Sequence, residues 1–273
     1  MARNGVPSPS SFLSRSSRFS FVALSAVGLA LVTGCGGGDD GGAGSGRKPV
    51  VVVTTTWEGA FARAAGAENV TVIVPRSVHH APDHDPKPSD LVAVAKADFV
   101  LYAPFEPYAA KIREAAGSSA KLVEVDLDND PDKVRAEVDR LAGLFGTREA
   151  AGRWKAAFGT EYARLNKDLR AAWPDGKSPV VVSQVFTTWA AKLAGTDPAG
   201  TYGPDPVTPA RLAELSAGKP DLVLDNAHMS TGTVLPGSGA KQVAIVNYPG
   251  DDLDLLAVYR GAAAELRKAM GGS

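Results

Sequence analysis

Short runs of consecutive apolar residues alternate with segments of helical spacing along the first half of the chain. The runs that we interpret as strands are residues 49–54, 70–75, 98–103 and 121–126. The first of them, residues 49–54, is a continuous β-branched run, which is typical of a strand buried on both faces of a parallel sheet. Helical spacing fills the segments between them, residues 57–66, 88–97 and 106–117. The pattern predicts a mostly parallel sheet with helices on both faces.

The pattern changes at Asp130-Pro131, which is a favourable start for a helix. Apolar spacing then continues past Gly146 in a helix of about 25 residues that ends near Pro174. A second α/β series follows, with strands at 179–183, 221–226 and 241–247 and a closing helix at 252–270. The predicted fold is α/β, with two lobes that are each a mostly parallel sheet flanked by helices and are joined by one long helix. The predicted ranges are 49–130 for the N-terminal lobe, 131–174 for the linking helices and 175–273 for the C-terminal lobe.

The start of the chain has the features of a secretory leader. Arg15 and Arg18 precede an apolar run that ends at Cys35 and is too short for a membrane-spanning helix. The run ends in "LVTGC", which resembles a bacterial lipobox and implies cleavage after residue 34 and lipid attachment to Cys35. An ordinary cleaved signal with an incidental cysteine is the alternative. Residues 35–48 are rich in glycine and predict a flexible tether, so we expect an extracytoplasmic protein that is lipid-anchored to the cell membrane.

The net charge and the cysteine content of the chain limit the functions that it can have. The 273 residues carry a formal net charge of −1, without the basic excess that nucleic-acid binding requires. Cys35 is the only cysteine, so no internal disulfide can form. We expect a monomer.

Histidine is concentrated in one proline-rich loop. The chain has 4 histidines, of which His79, His80 and His84 follow the predicted strand 70–75, and His228 follows the strand 221–226. Ligands of parallel sheets bind beyond the carboxyl ends of the strands, so these imidazoles can line one cleft between the lobes. Neutral imidazole together with carboxylate suits Zn²⁺ and, less strongly, Mn²⁺. A solvated surface loop is the simpler alternative.

Several motifs in the first half of the chain resemble those of a known family. They are "PKPSD" at 86–90, "AKAD" at 95–98 and "EPY" at 106–108. A fourth motif, "PDPVTPARLAEL" at 204–215, lies in the second half of the chain. They are similar to motifs of the zinc and manganese substrate-binding lipoproteins of bacterial ABC importers. The resemblance implies a periplasmic metal-binding-protein fold with a rigid helical linker. It also implies metal capture between the lobes and delivery to an ABC permease.

The metal ligands of that family match this sequence poorly. Alignment places Pro82, Gln184 and Asn247 at positions where the family has ligands, and only Asp225 keeps a charged one. One account is a rebuilt zinc site of His80, His84, Asp225 and His228, with His79, Gln184 and Asn247 as possible additions. The other is a lost metal site and a cleft for a metal chelate or siderophore. We favour the rebuilt site because all the histidines fall in the cleft region.

Two aromatic residues are further candidates for the predicted cleft. Trp57 and Tyr248 are candidates for the cleft wall because each lies near the end of a predicted strand.

A metal-dependent hydrolase would need an open metal position and a general base. The fold resemblance and the lipid tether argue against an enzyme, and an adhesion role would need no cleft ligand.

Overall fold

Two parallel four-stranded sheets form the framework of the protein. The computed structural model describes residues 47–74, 76, 84–106, 108–118, 120–230 and 232–271. The first sheet has the order β2-β1-β3-β4 and consists of β1 (Val50–Val53), β2 (Asn69–Val72), β3 (Phe99–Tyr102) and β4 (Lys121–Glu124). The second has the order β6-β5-β7-β8 and consists of β5 (Val181–Gln184), β6 (Gly200–Tyr202), β7 (Leu222–Asn226) and β8 (Lys241–Ile245). The predicted α/β fold is confirmed.

Helices cover both sheets and connect them. In the described part of the chain they are α1 (Thr56–Ala64), α2 (Pro88–Lys96), α3 (Ala109–Ala116), α4 (Pro131–Phe145), α5 (Arg148–Ala171), α6 (Thr188–Leu193), α7 (Pro209–Ala217) and α8 (Leu255–Ala269). The Asp130 side chain caps α4 by accepting from the backbone N–H groups of Asp132 and Lys133, as the sequence predicts. The predicted long helix is α5, with 24 residues. In these described residues, no helix is both long and apolar enough to cross a bilayer.

One hydrophobic core joins the two halves of the molecule. It contains Val53 from the first sheet and Leu224 from the second, with Phe158 of α5 and Tyr259 of α8 between them. The rings of Phe158 and Tyr259 are 5.1 Å apart, and Trp189 of α6 lies 5.1 Å from the same tyrosine ring. The linking helices therefore share their apolar face with both sheets. The predicted lobe boundaries stay a prediction, because this core continues across them.

Gly66, just after α1, lies where a side chain does not fit. Its φ is +94°, and an added Cβ would lie 2.8 Å from the Ala150 Cβ on α5. We expect Gly66→Ala to lower the free energy of unfolding by about 2 kcal/mol, because backbone strain adds to a steric clash. Urea unfolding measures this loss. Gly146→Ala is the control, since its φ is +73° but nothing lies within 4 Å of its Cβ position. Equal losses in both variants would contradict the clash.

Candidate functional site

The carboxyl ends of the strands of both sheets meet at a set of residues that we call the cleft floor: Thr56, Trp57, Asn129, Asn247 and Tyr248. The Thr56 hydroxyl donates to the Pro249 carbonyl at 3.0 Å. The Asn129 amide donates to the Asn247 carbonyl at 3.0 Å, and the rings of Trp57 and Tyr248 are 4.8 Å apart. The two halves are therefore in direct contact at the base of the predicted cleft.

Trp57 belongs to this floor as a packed side chain. Its indole is 8% exposed and donates to the Asn129 side-chain oxygen at 3.1 Å. Tyr248 is half-buried, and burial raises the pKa of its phenol, with the carboxyls of Glu58 and Glu106 raising that pKa further. Both predicted cleft aromatics thus lie where the halves meet, and Tyr248 faces a pair of acids.

Asn247 and Gln184, the possible weak ligands, are engaged in structural hydrogen bonds. The Asn247 side chain accepts from the Trp189 indole at 2.9 Å and donates to the Phe186 carbonyl at 3.1 Å. The Gln184 side-chain oxygen accepts from the Phe186 backbone N–H at 2.6 Å. Both side chains are buried, and their contacts hold the loop after β5 against the cleft floor.

Asp225 lies at the carboxyl end of β7, where the sequence predicts it, and is 3% exposed. One carboxylate oxygen accepts from the Tyr202 hydroxyl at 2.8 Å, and the other accepts from the Gln242 amide at 3.1 Å. Burial, and then the hydrogen bond to Asp225, raise the pKa of Tyr202. Both oxygens of the predicted acidic ligand therefore already accept a hydrogen bond from a neutral donor.

The described histidines are His84, before α2, and His228, just after β7. The His228 ring packs edge-on against Tyr248 with 4.6 Å between centroids, and its backbone N–H donates to the Asn226 side chain. The His84 ring lies 6.4 Å from the Tyr108 ring, and its Nε2 is buried without a hydrogen-bond partner. His79 and His80 lie outside the described residues, as do Cys35 and the predicted leader.

The described residues do not complete the predicted zinc site. Among them, no group of three or more histidine, cysteine, aspartate or glutamate side chains is arranged to hold a metal ion. Because His80 lies outside the described ranges, the set of His80, His84, Asp225 and His228 stays a prediction.

A carboxyl pair that sequence reasoning missed lies beside the cleft floor. Glu58 of α1 is fully buried, and its Oε2 accepts from the Thr55 backbone N–H at 3.0 Å and from the Thr55 hydroxyl. Glu106, after β3, accepts from the Ala103 N–H at 3.1 Å and from the Tyr108 hydroxyl at 3.0 Å. Burial, reinforced by the nearby Glu58 charge, raises the pKa of Glu106 to about 8. Burial likewise raises the pKa of Glu58.

The fold defines an architectural class: α/β proteins built from two parallel four-stranded sheets flanked by helices. No family model and no curated protein sequence matches the chain. Among solved structures, laminin binding protein Lmb of Streptococcus agalactiae, described as having adhesin and metal transporting activity, has a TM-score of 0.60 at 15% identity, covering 81% of this chain and 99% of Lmb. The substrate-binding protein FpvC of Pseudomonas aeruginosa, in complex with Mn²⁺, has a TM-score of 0.60 at 14% identity, covering 82% of this chain and 99% of FpvC.

A third similar structure is the Zn(II)-bound ZnuA-like domain of Streptococcus pneumoniae AdcA. Its TM-score is 0.52 at 15% identity, and the match covers 82% of this chain and 99% of that domain. At these identities the likeness establishes the shared fold alone.

Proposed function

We propose that the chain is an extracytoplasmic solute-binding protein that captures a divalent metal ion between its two lobes and delivers it to an ABC permease. Zn²⁺ is the preferred metal and Mn²⁺ the second candidate. The fold supports this proposal, since the proteins with similar structures include ones solved with zinc or Mn²⁺ bound. We propose no enzymatic activity.

The observation that carries the proposal is the placement of His84 and His228. His84 precedes α2 in the N-terminal half and His228 follows β7 in the C-terminal half. Each ring packs against a tyrosine, Tyr108 or Tyr248, whose pKa the buried carboxyls raise. Imidazole nitrogens that approach from two sides can hold a metal ion between the lobes. Among the described residues, His84 Nε2 has no hydrogen-bond partner although it is buried, as an unfilled ligand position would be.

We keep His80, His84, Asp225 and His228 as the proposed ligand set, with His79, Gln184 and Asn247 as possible additions. Asp225 can still ligate because each carboxylate oxygen has a second lone pair beside the one that accepts a hydrogen bond. Its two neutral donors would then orient it toward the metal.

The metal-chelate alternative requires aromatic faces that a planar or bulky ligand can stack against. Trp57, Trp189 and Tyr102 are all less than 10% exposed, and the two indoles donate hydrogen bonds within the fold. Tyr248, the fourth candidate, is half-buried between the Trp57 and His228 rings. We therefore do not favour a chelate or siderophore as the ligand.

The membrane association is part of the same proposal. Lipid attached to Cys35 would hold the protein at the outer face of the cell membrane through the glycine-rich segment 35–48. Each buried methylene of an acyl chain contributes about 0.8 kcal/mol, so two or three chains anchor a protein firmly.

Metal binding to the purified full chain tests the proposal. We expect one-to-one Zn²⁺ binding by calorimetry in the metal-stripped protein. In the variant His80→Ala/His84→Ala/His228→Ala we expect the Zn²⁺ affinity to fall by about 100-fold or more. Changing residues that only orient metal ligands already lowers metal affinity by about 10–100-fold, and this variant removes proposed ligands themselves. Trp154→Phe is the control, because Trp154 stacks on Phe158 of α5 and is not one of the proposed ligands. Wild-type protein that binds no divalent metal would refute the function.

A further inference from the structure

The Glu58 and Glu106 carboxyls form a buried acidic pair beyond the carboxyl ends of the two central strands of the first sheet. Glu58 follows β1 and Glu106 follows β3, and these strands are hydrogen-bonded neighbours in parallel register. Glu58 is fully buried and Glu106 is 6% exposed. In the described part of the chain, every hydrogen bond to these two carboxyls comes from a neutral donor: Thr55, Ala103 or Tyr108. Two acids in one dry location thus lack a positive charge to balance them.

Among the described residues, two oxygens at this location have no hydrogen-bond partner. They are Glu58 Oε1 and the hydroxyl of Thr54, and both residues are fully buried. The Thr54 hydroxyl lies close enough to both carboxyls to lower the pKa of each, against the larger effect of burial. A buried polar atom without a partner is unfavourable, since it has given up water and gained nothing in exchange. Glu58 and Thr54 therefore each present one unsatisfied oxygen beside the Glu106 carboxyl.

We propose that Glu58, Glu106 and the Thr54 hydroxyl form an oxygen-donor site for a divalent cation at the N-terminal side of the cleft. A dication would balance both carboxylates and would give Glu58 Oε1 and the Thr54 hydroxyl a partner. Hard divalent cations prefer oxygen ligands such as carboxylates and hydroxyls, and Mn²⁺ is a cation that these three side chains could bind. The inference rests on the proposed function and supplies acidic ligands that the sequence alignment does not.

Two tyrosines connect this acidic pair with the described histidines. The Tyr108 hydroxyl donates to Glu106 at 3.0 Å, and its ring is the one that His84 faces. The Glu58 and Glu106 carboxyls raise the pKa of Tyr248, and the Tyr248 ring contacts the His228 ring. The acids and the described imidazoles therefore flank the same two tyrosines, Tyr108 and Tyr248.

The experiment titrates the full chain, purified in detergent and stripped of metal, with Mn²⁺. Calorimetry gives the affinity, and electron paramagnetic resonance reports bound Mn²⁺ directly. We expect Glu58→Gln/Glu106→Gln to weaken Mn²⁺ binding by about 100-fold or more, and Thr54→Val by about 10-fold. Glu137→Gln is the matched control, because Glu137 is also buried but pairs with Arg140 on α4. Its affinity should stay within about threefold of wild type.

The outcomes separate this inference from the proposed function. Unchanged Mn²⁺ affinity in the double glutamine variant, with loss of binding in the histidine variant, would overturn the inference and leave the function standing. A wild-type protein that binds neither Mn²⁺ nor Zn²⁺ would overturn the function itself. If the double variant fails to fold by circular dichroism, Thr54→Val decides, and wild-type affinity in that variant overturns the inference.

Discussion

Raising the pH from about 5.5 to about 8.5 should lower the free energy of unfolding of the metal-free protein by about 3 kcal/mol. The cause is the buried pair of Glu58 and Glu106. In the unfolded chain their pKa takes the ordinary value of 4.5, whereas in the folded protein that of Glu106 is about 8 and that of Glu58 is also raised. The folded state thus binds more protons between these values. Its added stability is complete below pH 4.5 and is lost as the pH rises through 8.

Urea unfolding at the two pH values measures this effect. Glu106→Gln should remove most of the loss, because a neutral amide keeps the shape of the protonated carboxyl without its titration. Groups with a lowered pKa, such as Glu161 at about 2, change protonation below this range and leave the comparison unaffected. Glu137→Gln should keep the wild-type pH dependence. A wild-type protein equally stable at both pH values would contradict the raised pKa values.

Phe158→Ala should lower the free energy of unfolding by about 4 kcal/mol. The Phe158 ring is fully buried, stacks on Trp154 at 5.0 Å and meets the Tyr259 ring edge-on. The Arg135 guanidinium lies 5.1 Å from its centroid, so the ring contacts α4, α5 and α8 together. Removing it leaves a cavity at the centre of the shared core, where three helices would have to move to close it.

Thermal or urea unfolding followed by tryptophan fluorescence measures the loss. Phe105→Ala is the control, since the Phe105 side chain is 70% exposed and its removal should cost no more than about 0.5 kcal/mol. Two separate unfolding transitions in Phe158→Ala, one for each sheet, would agree with a core that couples the halves. A loss as small as that of Phe105→Ala would contradict it.

Much of the fold is predictable because its signal is local. Consecutive β-branched residues mark β1, and helical spacing marks α5, so the alternation of strands and helices follows directly. β6 was not predicted, because its three residues, Gly200–Tyr202, show neither an apolar run nor alternation. That strand exists through its pairing with β5, which a local pattern cannot reveal.

The site is less predictable because its main features come from packing between the halves. The placement of His84 and His228 at strand ends follows from the general rule for parallel sheets. Glu58 instead reads as the last residue of a capping box that starts at Thr55, and it does form that box. The neighbouring Gly59 is covered by a residue from the far end of the chain, since the Leu253 side chain lies 3.0 Å from its Cβ position. Nothing near Glu58 in the sequence indicates that environment.

The hydrogen bonds across the cleft floor set a minimum for the energy of separating the halves. Moving them apart breaks the Thr56–Pro249 and Asn129–Asn247 bonds, each worth about 0.5–1.5 kcal/mol, and uncovers part of the common aromatic core. A separated conformation is therefore a minor population in the free protein. A partner can shift that population only by binding it more tightly than the resting one. For a carrier of this build, the affinity of the acceptor for the open state, rather than the mobility of the carrier, would set how readily the ligand is handed over.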